Sequence, residues 1–281
     1  MNSFERLLIL SSVLSLLLWM AAGGWLLARQ QERAALREAG TPYRHILTGV
    51  RESYEREYVV VSGQKPVGRA NLKIQPEKDG SFTVTNDIAA EYRILGIGTE
   101  FDVAVRILIS PNYDLERFEI QMDMVGQRIT VSGFPQETEK GPAISVEVRV
   151  ADQQIQKMSL PFESGTNFAD LLMPLIRTGK PEPGRKWTSS VLDPFTRTSR
   201  TIFFQVLDPD DIPGSQGTLS GYPVISTIGD KEFTSFVDET GDVMWEEVPY
   251  GFIIVRRDIA EQLGFVKPGE QVGPQPAGRQ D

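Results

Sequence analysis

The chain has no cysteine and a single histidine, His45, among its 281 residues. Disulfides, thiol nucleophiles, iron–sulfur clusters, lipidated cysteine anchors and cysteine zinc sites each need a residue that is missing. A Ser-His-Asp triad would have to recruit His45, which sits in TPYRHIL ahead of the predicted core domain, where a solvated or packed histidine is the simpler reading. Basic clusters are lacking too. Residues 41–281 hold 25 basic and 35 acidic side chains, a net charge of −10. Phosphate backbones attract Lys and Arg clusters, so no nucleic-acid partner is expected.

Other signatures are incomplete. The sequence GIG at 96–98 has no third glycine and no following helix, which removes a phosphate-binding reading. The acidic turn DPDD at 208–211 lacks the glycine spacing and closing Glu of an EF-hand loop and reads as solvated. Glu246 and Glu247 are adjacent on a predicted strand, so they face opposite sides and do not form an acid and base pair. No solenoid or propeller repeat is present. We therefore expect no catalytic residue, no metal site and no cofactor.

What is present begins with an apolar run. Leu7 to Leu27 reads LLILSSVLSLLLWMAAGGWLL, 21 residues without a charge. At about 1.5 Å per residue it spans roughly 31 Å, the thickness of a bilayer core. Trp25, near its end, suits a membrane interface. The competing reading is a cleaved signal peptide with a small-residue site at Ala21 and Gly23, which would leave GWLLA as an apolar new terminus. We expect an uncleaved single-pass anchor, continued by a charged helical stalk to Gly40, where Thr41-Pro42 stops it. Arg29, Arg33 and Arg37 after the anchor place the large domain in the cytoplasm if the positive-inside rule is applied literally. A short N-terminal stub before an uncleaved apolar segment equally fits an exported protein.

Tyr43 to Arg56 is a mixed stretch that can form a second short helix. From about residue 57 the pattern changes to short runs rich in Val, Ile, Phe and Thr, broken by Gly, Pro, Asn and Asp, which predicts strands. KDG at 78–80 and PNYD at 111–114 predict hairpin turns. Phe101, Val103, Val105, Ile107 and Ile109 alternate with more polar residues, and so do Phe118, Ile120, Met122 and Met124, giving two apolar stripes for a core or a ligand cavity. Strands are further predicted at 127–134, 143–150, 155–160, 187–192, 200–207, 222–228 and 232–238, then at VMWEEV and YGFIIVRR. NFADLLMPLIR at 167–177 predicts a short helix with Asn167 as N-cap, and TGKPEPGRKW a connector with a sub-boundary near 178–186. Asp258 is placed to cap a helix reaching Leu263. Residues 266–281 lack apolar periodicity and read as a disordered tail.

The segments GQKPVGRANLKI, PGRKWTSSVLDPFT and FTSFVDETGDVMWEEVPYGFIIVRR, in this order, resemble the exported β-domain that precedes transglutaminase-like cores in some bacterial membrane proteins, and related stand-alone domains of unknown function. The resemblance covers about residues 57–257. It implies export and, at the level of fold, a curved half-barrel sheet like those of lipoprotein carriers. The Cys, His and Asp constellation of the transglutaminase core is not carried over, because the chain has no cysteine.

Together these readings predict a mainly β protein. Residues 1–40 form a membrane anchor and stalk, residues 41–265 a curved antiparallel sheet or half-barrel with one or two short helices, and residues 266–281 a tail. The expected role is non-enzymatic, at the periplasmic face of a bacterial inner membrane, binding a lipid-like ligand or an envelope partner protein. The expected ligand contacts are Phe118, Ile120, Met122, Met124, Trp187 and Trp245. An assembly or scaffold subunit of an inner-membrane complex is the second reading, and a carboxylate-based hydrolase the third.

Overall fold

Alternating β-branched and aromatic residues with turn residues between them produce one large sheet. In the computed structural model the described residues are 43, 47, 50–94, 97–124, 126–139, 141–151, 153–161, 166–167, 179–193, 198–248 and 251–273. All lie in the compact unit Gly40–Asp281; the other unit is Met1–Ala39. The expected anchor at 7–27, the stalk, His45 and nearly all of the helix expected at 167–177 lie outside the described residues. Among the described residues no helix is long and apolar enough to cross a membrane.

Eight strands follow one another as an antiparallel meander: β1 (Tyr54–Ser62), β2 (Lys65–Pro76), β3 (Phe82–Ile94), β4 (Ile97–Ile109), β5 (Leu115–Met124), β6 (Gln127–Thr138), β7 (Gly141–Val150) and β8 (Gln153–Pro161). The second half comprises β9 (Thr166–Asn167), β10 (Lys186–Asp193), β11 (Thr198–Val206), β12 (Asp210–Asp211), β13 (Ser220–Ile228), β14 (Lys231–Val237), β15 (Val243–Val248) and β16 (Phe252–Arg256). One helix, α1 (Arg257–Gln262), follows directly. Both predicted hairpin turns form. Asp79 accepts the Ser81 N–H at 3.0 Å, and the Ser110 hydroxyl accepts N–H groups from Asn112 and Asp114 at 3.2 and 3.1 Å. Such side-chain bonds fix a turn locally, which is why the sequence reveals it.

The sheet order is β8-β7-β6-β5-β4-β3-β2-β1-β16-β15-β14-β13-β11-β10-β9, with β12 paired to β13. The sheet is open. First and last long strands meet in its middle, where Tyr58 pairs with Arg256 and Val60 with Ile254. The two edges, β8 and β9, are close in sequence, ending at Pro161 and starting at Thr166. Five peptide steps span at most about 19 Å, whereas fifteen strands laid flat at about 4.8 Å spacing would hold their edges roughly 67 Å apart. The sheet therefore curls back on itself.

Curling gives the sheet an inner and an outer face. The inner face carries one continuous cluster that includes Leu72, Ile107, Phe118, Ile144, Phe204 and Val224, joined by Tyr43 and Leu47 from before β1. The outer face is covered over β1, β14, β15 and β16 by α1 and the residues after it. Val61, Phe236, Trp245 and Val255 pack there against Ile259, Val266 and Val272. Through Gly273 the expected disordered tail is thus a packed element: Val266 is 4% and Val272 5% exposed. Two isolated valines are enough to seat a segment without any periodicity. Asp258 does not cap α1; it lies in the first turn, its carboxylate accepting from the Arg256 guanidinium at 2.8 Å.

Candidate functional site

The two predicted apolar stripes come together on the inner face. In β4 and β5, Val103 pairs with Met122, Val105 with Ile120 and Ile107 with Phe118. Phe118 and Ile120 are buried and Met122 is partly buried against them. The Phe118 ring lies over Gly133 of β6: a Cβ added there would stand 2.5 Å from the ring. Met124 pairs with Phe101, and its side chain lies outside the described residues. Trp187 in β10 joins the same face, half-buried and stacked on Phe204 with ring centroids 5.0 Å apart.

Trp245 is on the other face. Strict alternation from Val243 would send Trp245 inward and Glu246 outward. A bulge between Phe236 and Val237 changes this, since Val237 pairs with Val243, Phe236 with Trp245 and Ser235 with Glu246. Met244 is the extra residue, and one extra residue reverses the facing of those that follow. Trp245 therefore packs edge-on against Phe236 at 5.7 Å under the C-terminal segment, away from Phe118, Ile120, Met122 and Trp187. The six expected contacts do not form a single site.

The bulge turns Glu246 inward instead, 9% exposed. Paired residues share a face of the sheet, so Ser235 and Glu246 stand on the same side as Ile254 and Val224, both members of the inner cluster. Glu247 points outward, where its carboxylate accepts the Thr234 N–H at 3.2 Å. As the sequence predicts, these two carboxylates do not converge.

Buried polar groups are set among the apolar side chains of this face. Tyr58 is fully buried, and its hydroxyl has no hydrogen-bond partner among the described residues. The hydroxyls of Ser235, 0% exposed, and Ser189, 5% exposed, are also without partners. Ser189 pairs with Ile202 of the inner cluster and shares its face. Burial, then the nearby Tyr54, Asp242 and Glu246, push the Tyr58 pKa well above its ordinary value, so this phenol stays neutral. Asp242, 3% exposed, accepts from Arg56 at 3.0 Å. Arg256 directs its guanidinium to Asp238 at 2.7 Å and Asp258 at 2.8 Å. Burial works against that charge, and the two carboxylates outweigh it, raising the pKa.

Sequence reading missed Tyr58, Ser189, Ser235 and Asp242. The alternation of Tyr54, Arg56, Tyr58 and Val60 in YEREYVVV was a usable signal, since it puts polar groups on the face that Val60 buries. Glu246 had no such signal, because the bulge is not written in local pattern. Among the described residues no group of three or more Asp, Glu, His or Cys could hold a metal ion. Asp210 and Asp211 of the DPDD turn are exposed.

No family model matches the sequence, and no curated protein does. Among solved structures the chain is similar to a β-barrel-like protein of a domain of unknown function, DUF1849, from Brucella abortus. That likeness has a TM-score of 0.45 and 11% identity, over 73% of this chain and 95% of that one. It is also similar to a DUF1089 family protein from Pseudomonas aeruginosa, with a TM-score of 0.32 and 12% identity, over 71% of this chain and 90% of that one.

Proposed function

We propose that the β domain is a non-enzymatic binding module whose inner face takes a lipid-like ligand. In this reading residues 7–27 hold it at a bacterial inner membrane, with the half-barrel on the periplasmic side. The observation that carries the ligand is the set of three buried hydroxyls, on Tyr58, Ser189 and Ser235, that meet no partner on an apolar face. Each buried polar group left unpaired costs about 1–3 kcal/mol, against a total stability of about 5–15 kcal/mol for an ordinary domain. A ligand that brings an apolar chain and a polar end offsets that cost and matches the rest of the face.

Native mass spectrometry of the full chain, released from membranes in mild detergent, tests this. A bound species that enters organic extract is expected. Apoprotein mass alone, with no lipid in the extract, overturns the ligand reading.

The assembly-subunit reading has one observation in its favour. Edge strand β8 carries Ile155, 64% exposed, at a bulge opposite Val148 and Arg149. An open strand edge is a place where another envelope protein could add a strand. Crosslinking in membranes that recovers only monomer counts against it.

A further inference from the structure

We propose that the rim of the sheet at β10 holds a separate binding site, for a small aromatic carboxylate, built from Arg185, Trp187 and Ser189. The site needs no enclosed cavity, and it stands whether or not the inner face takes a lipid-like ligand. Side chains two apart on a strand share a face. Trp187 and Ser189 stand opposite Phe204 and Ile202, both members of the inner cluster. Arg185 extends the row: its carbonyl accepts the Val206 N–H at 3.0 Å, and its guanidinium lies over the Trp187 ring, 5.6 Å from the centroid. Arg185 and Trp187 are each partly exposed. Because β9 pairs with β10 only at Ser190 and Val191, no strand among the described residues lies beside Lys186–Ser189 on that edge.

Each member offers something the fold leaves unused. The Arg185 guanidinium rests on an aromatic ring and forms no ion pair with a described residue, in a chain whose net charge is −9. Its fork of N–H donors matches a carboxylate in two-point contact. The Ser189 hydroxyl, on a residue 5% exposed, has no partner, whereas a buried hydroxyl is ordinarily bonded. Between them Trp187, stacked on Phe204, keeps part of its indole uncovered and supplies an apolar surface. With the guanidinium drawn over Trp187, the charged end and the hydroxyl end lie about one same-face spacing apart along the strand, roughly 7 Å. That order of cation, ring and hydroxyl fits a carboxylate on an aromatic ring with a hydrogen-bonding group at its far end. An inorganic oxyanion would leave Trp187 and Ser189 unused, and the Arg185 charge repels a cation.

The test uses the full chain in mild detergent with isotope-labelled tryptophan, read by the indole N–H signals in NMR. The chain has four tryptophans, and Trp187→Phe identifies the signal of Trp187. The probes are 4-hydroxybenzoate, benzoate, inorganic phosphate and chloride, titrated at constant ionic strength. The Trp187 signal is expected to shift saturably with 4-hydroxybenzoate, more tightly than with benzoate and far more tightly than with phosphate. Arg185→Gln is expected to weaken that binding at least about tenfold, the loss of one charge-assisted contact. Ser189→Ala is expected to remove the advantage of 4-hydroxybenzoate over benzoate. Arg185 is partly exposed, so Arg185→Gln is expected to fold, and unchanged signals from the other indoles check this. The proposal is overturned by the absence of a saturable shift, by a shift that chloride reproduces, by phosphate binding as tightly as 4-hydroxybenzoate, or by unchanged binding in Arg185→Gln. Lipid recovered with the chain while neither carboxylate binds overturns this site alone and leaves the lipid-binding reading standing.

Discussion

Asp238 shows how much one side chain organises. Its carboxylate accepts the Thr240 N–H at 2.9 Å, the Thr240 hydroxyl at 2.6 Å, the Asp242 N–H at 3.1 Å and the Arg256 guanidinium at 2.7 Å. Burial pushes its pKa up, and these bonds outweigh burial and hold it below the ordinary value. A depressed pKa stabilises the fold above the unfolded value of about 3.9 and ceases to do so as pH falls through the folded value. Asp238→Asn is therefore expected to cost about 1–3 kcal/mol near neutral pH, with the gap from wild type closing as pH falls below about 4. Urea unfolding at pH 7 and at acid pH measures both. The turn itself was legible, because DETGD carries its own donors and acceptors. That Arg256 completes it was not, since the partner arrives from two strands away.

Strands were legible as elements wherever their residues alternate, and their facing was legible only up to the first irregularity. β4 keeps its alternation, so its stripe was read correctly; β15 does not, so Trp245 and Glu246 exchanged faces. A bulge depends on how two strands pair, and pairing is not visible in either strand alone. The pairing of Phe118 with Gly133 belongs to the same scale. An aromatic ring laid over a glycine on the neighbouring strand fills the space a side chain would have taken. A Cβ at Gly133 would meet Phe118 at 2.5 Å and the Ser145 carbonyl at 2.8 Å. Gly133→Ala is expected to destabilise by about 1–3 kcal/mol through overpacking, read as a lowered denaturation midpoint. No change would mean that the ring moves aside freely.

On the scale of the whole molecule, the pairing of β1 with β16 governs completion of the sheet. The strand that closes its middle, β16, is the last in sequence of the described strands, and long-range pairing of this kind folds slowly. The C-terminal segment then seals the outer face over that seam. Arg257 bonds the Glu270 carbonyl and pairs with Glu57 at 3.0 Å, and Gly273 sits against the backbone of Gly68. Exposed pairs of this type add little, so the buried valines carry the attachment. Val272→Asp is expected to cost about 2–4 kcal/mol by placing a charge in an apolar contact and to raise hydrogen exchange across residues 263–273. Unchanged exchange there would show that the segment is held by something other than its apolar contacts.

By itself the sequence determined the β class, most strand positions, the hairpin turns, the apolar stripes of β4 and β5, and the chemistry excluded by having no cysteine. These depend on neighbours in the chain, whose spacing and side-chain preferences are local. Tertiary structure decided which strands meet, that the edges curl towards each other, that residues 266–273 cover the outer face, and that Glu246 lies inside while Trp245 lies outside. Those outcomes rest on contacts between residues far apart in sequence, and a single extra residue at Met244 was enough to reverse the facing of Trp245 and Glu246.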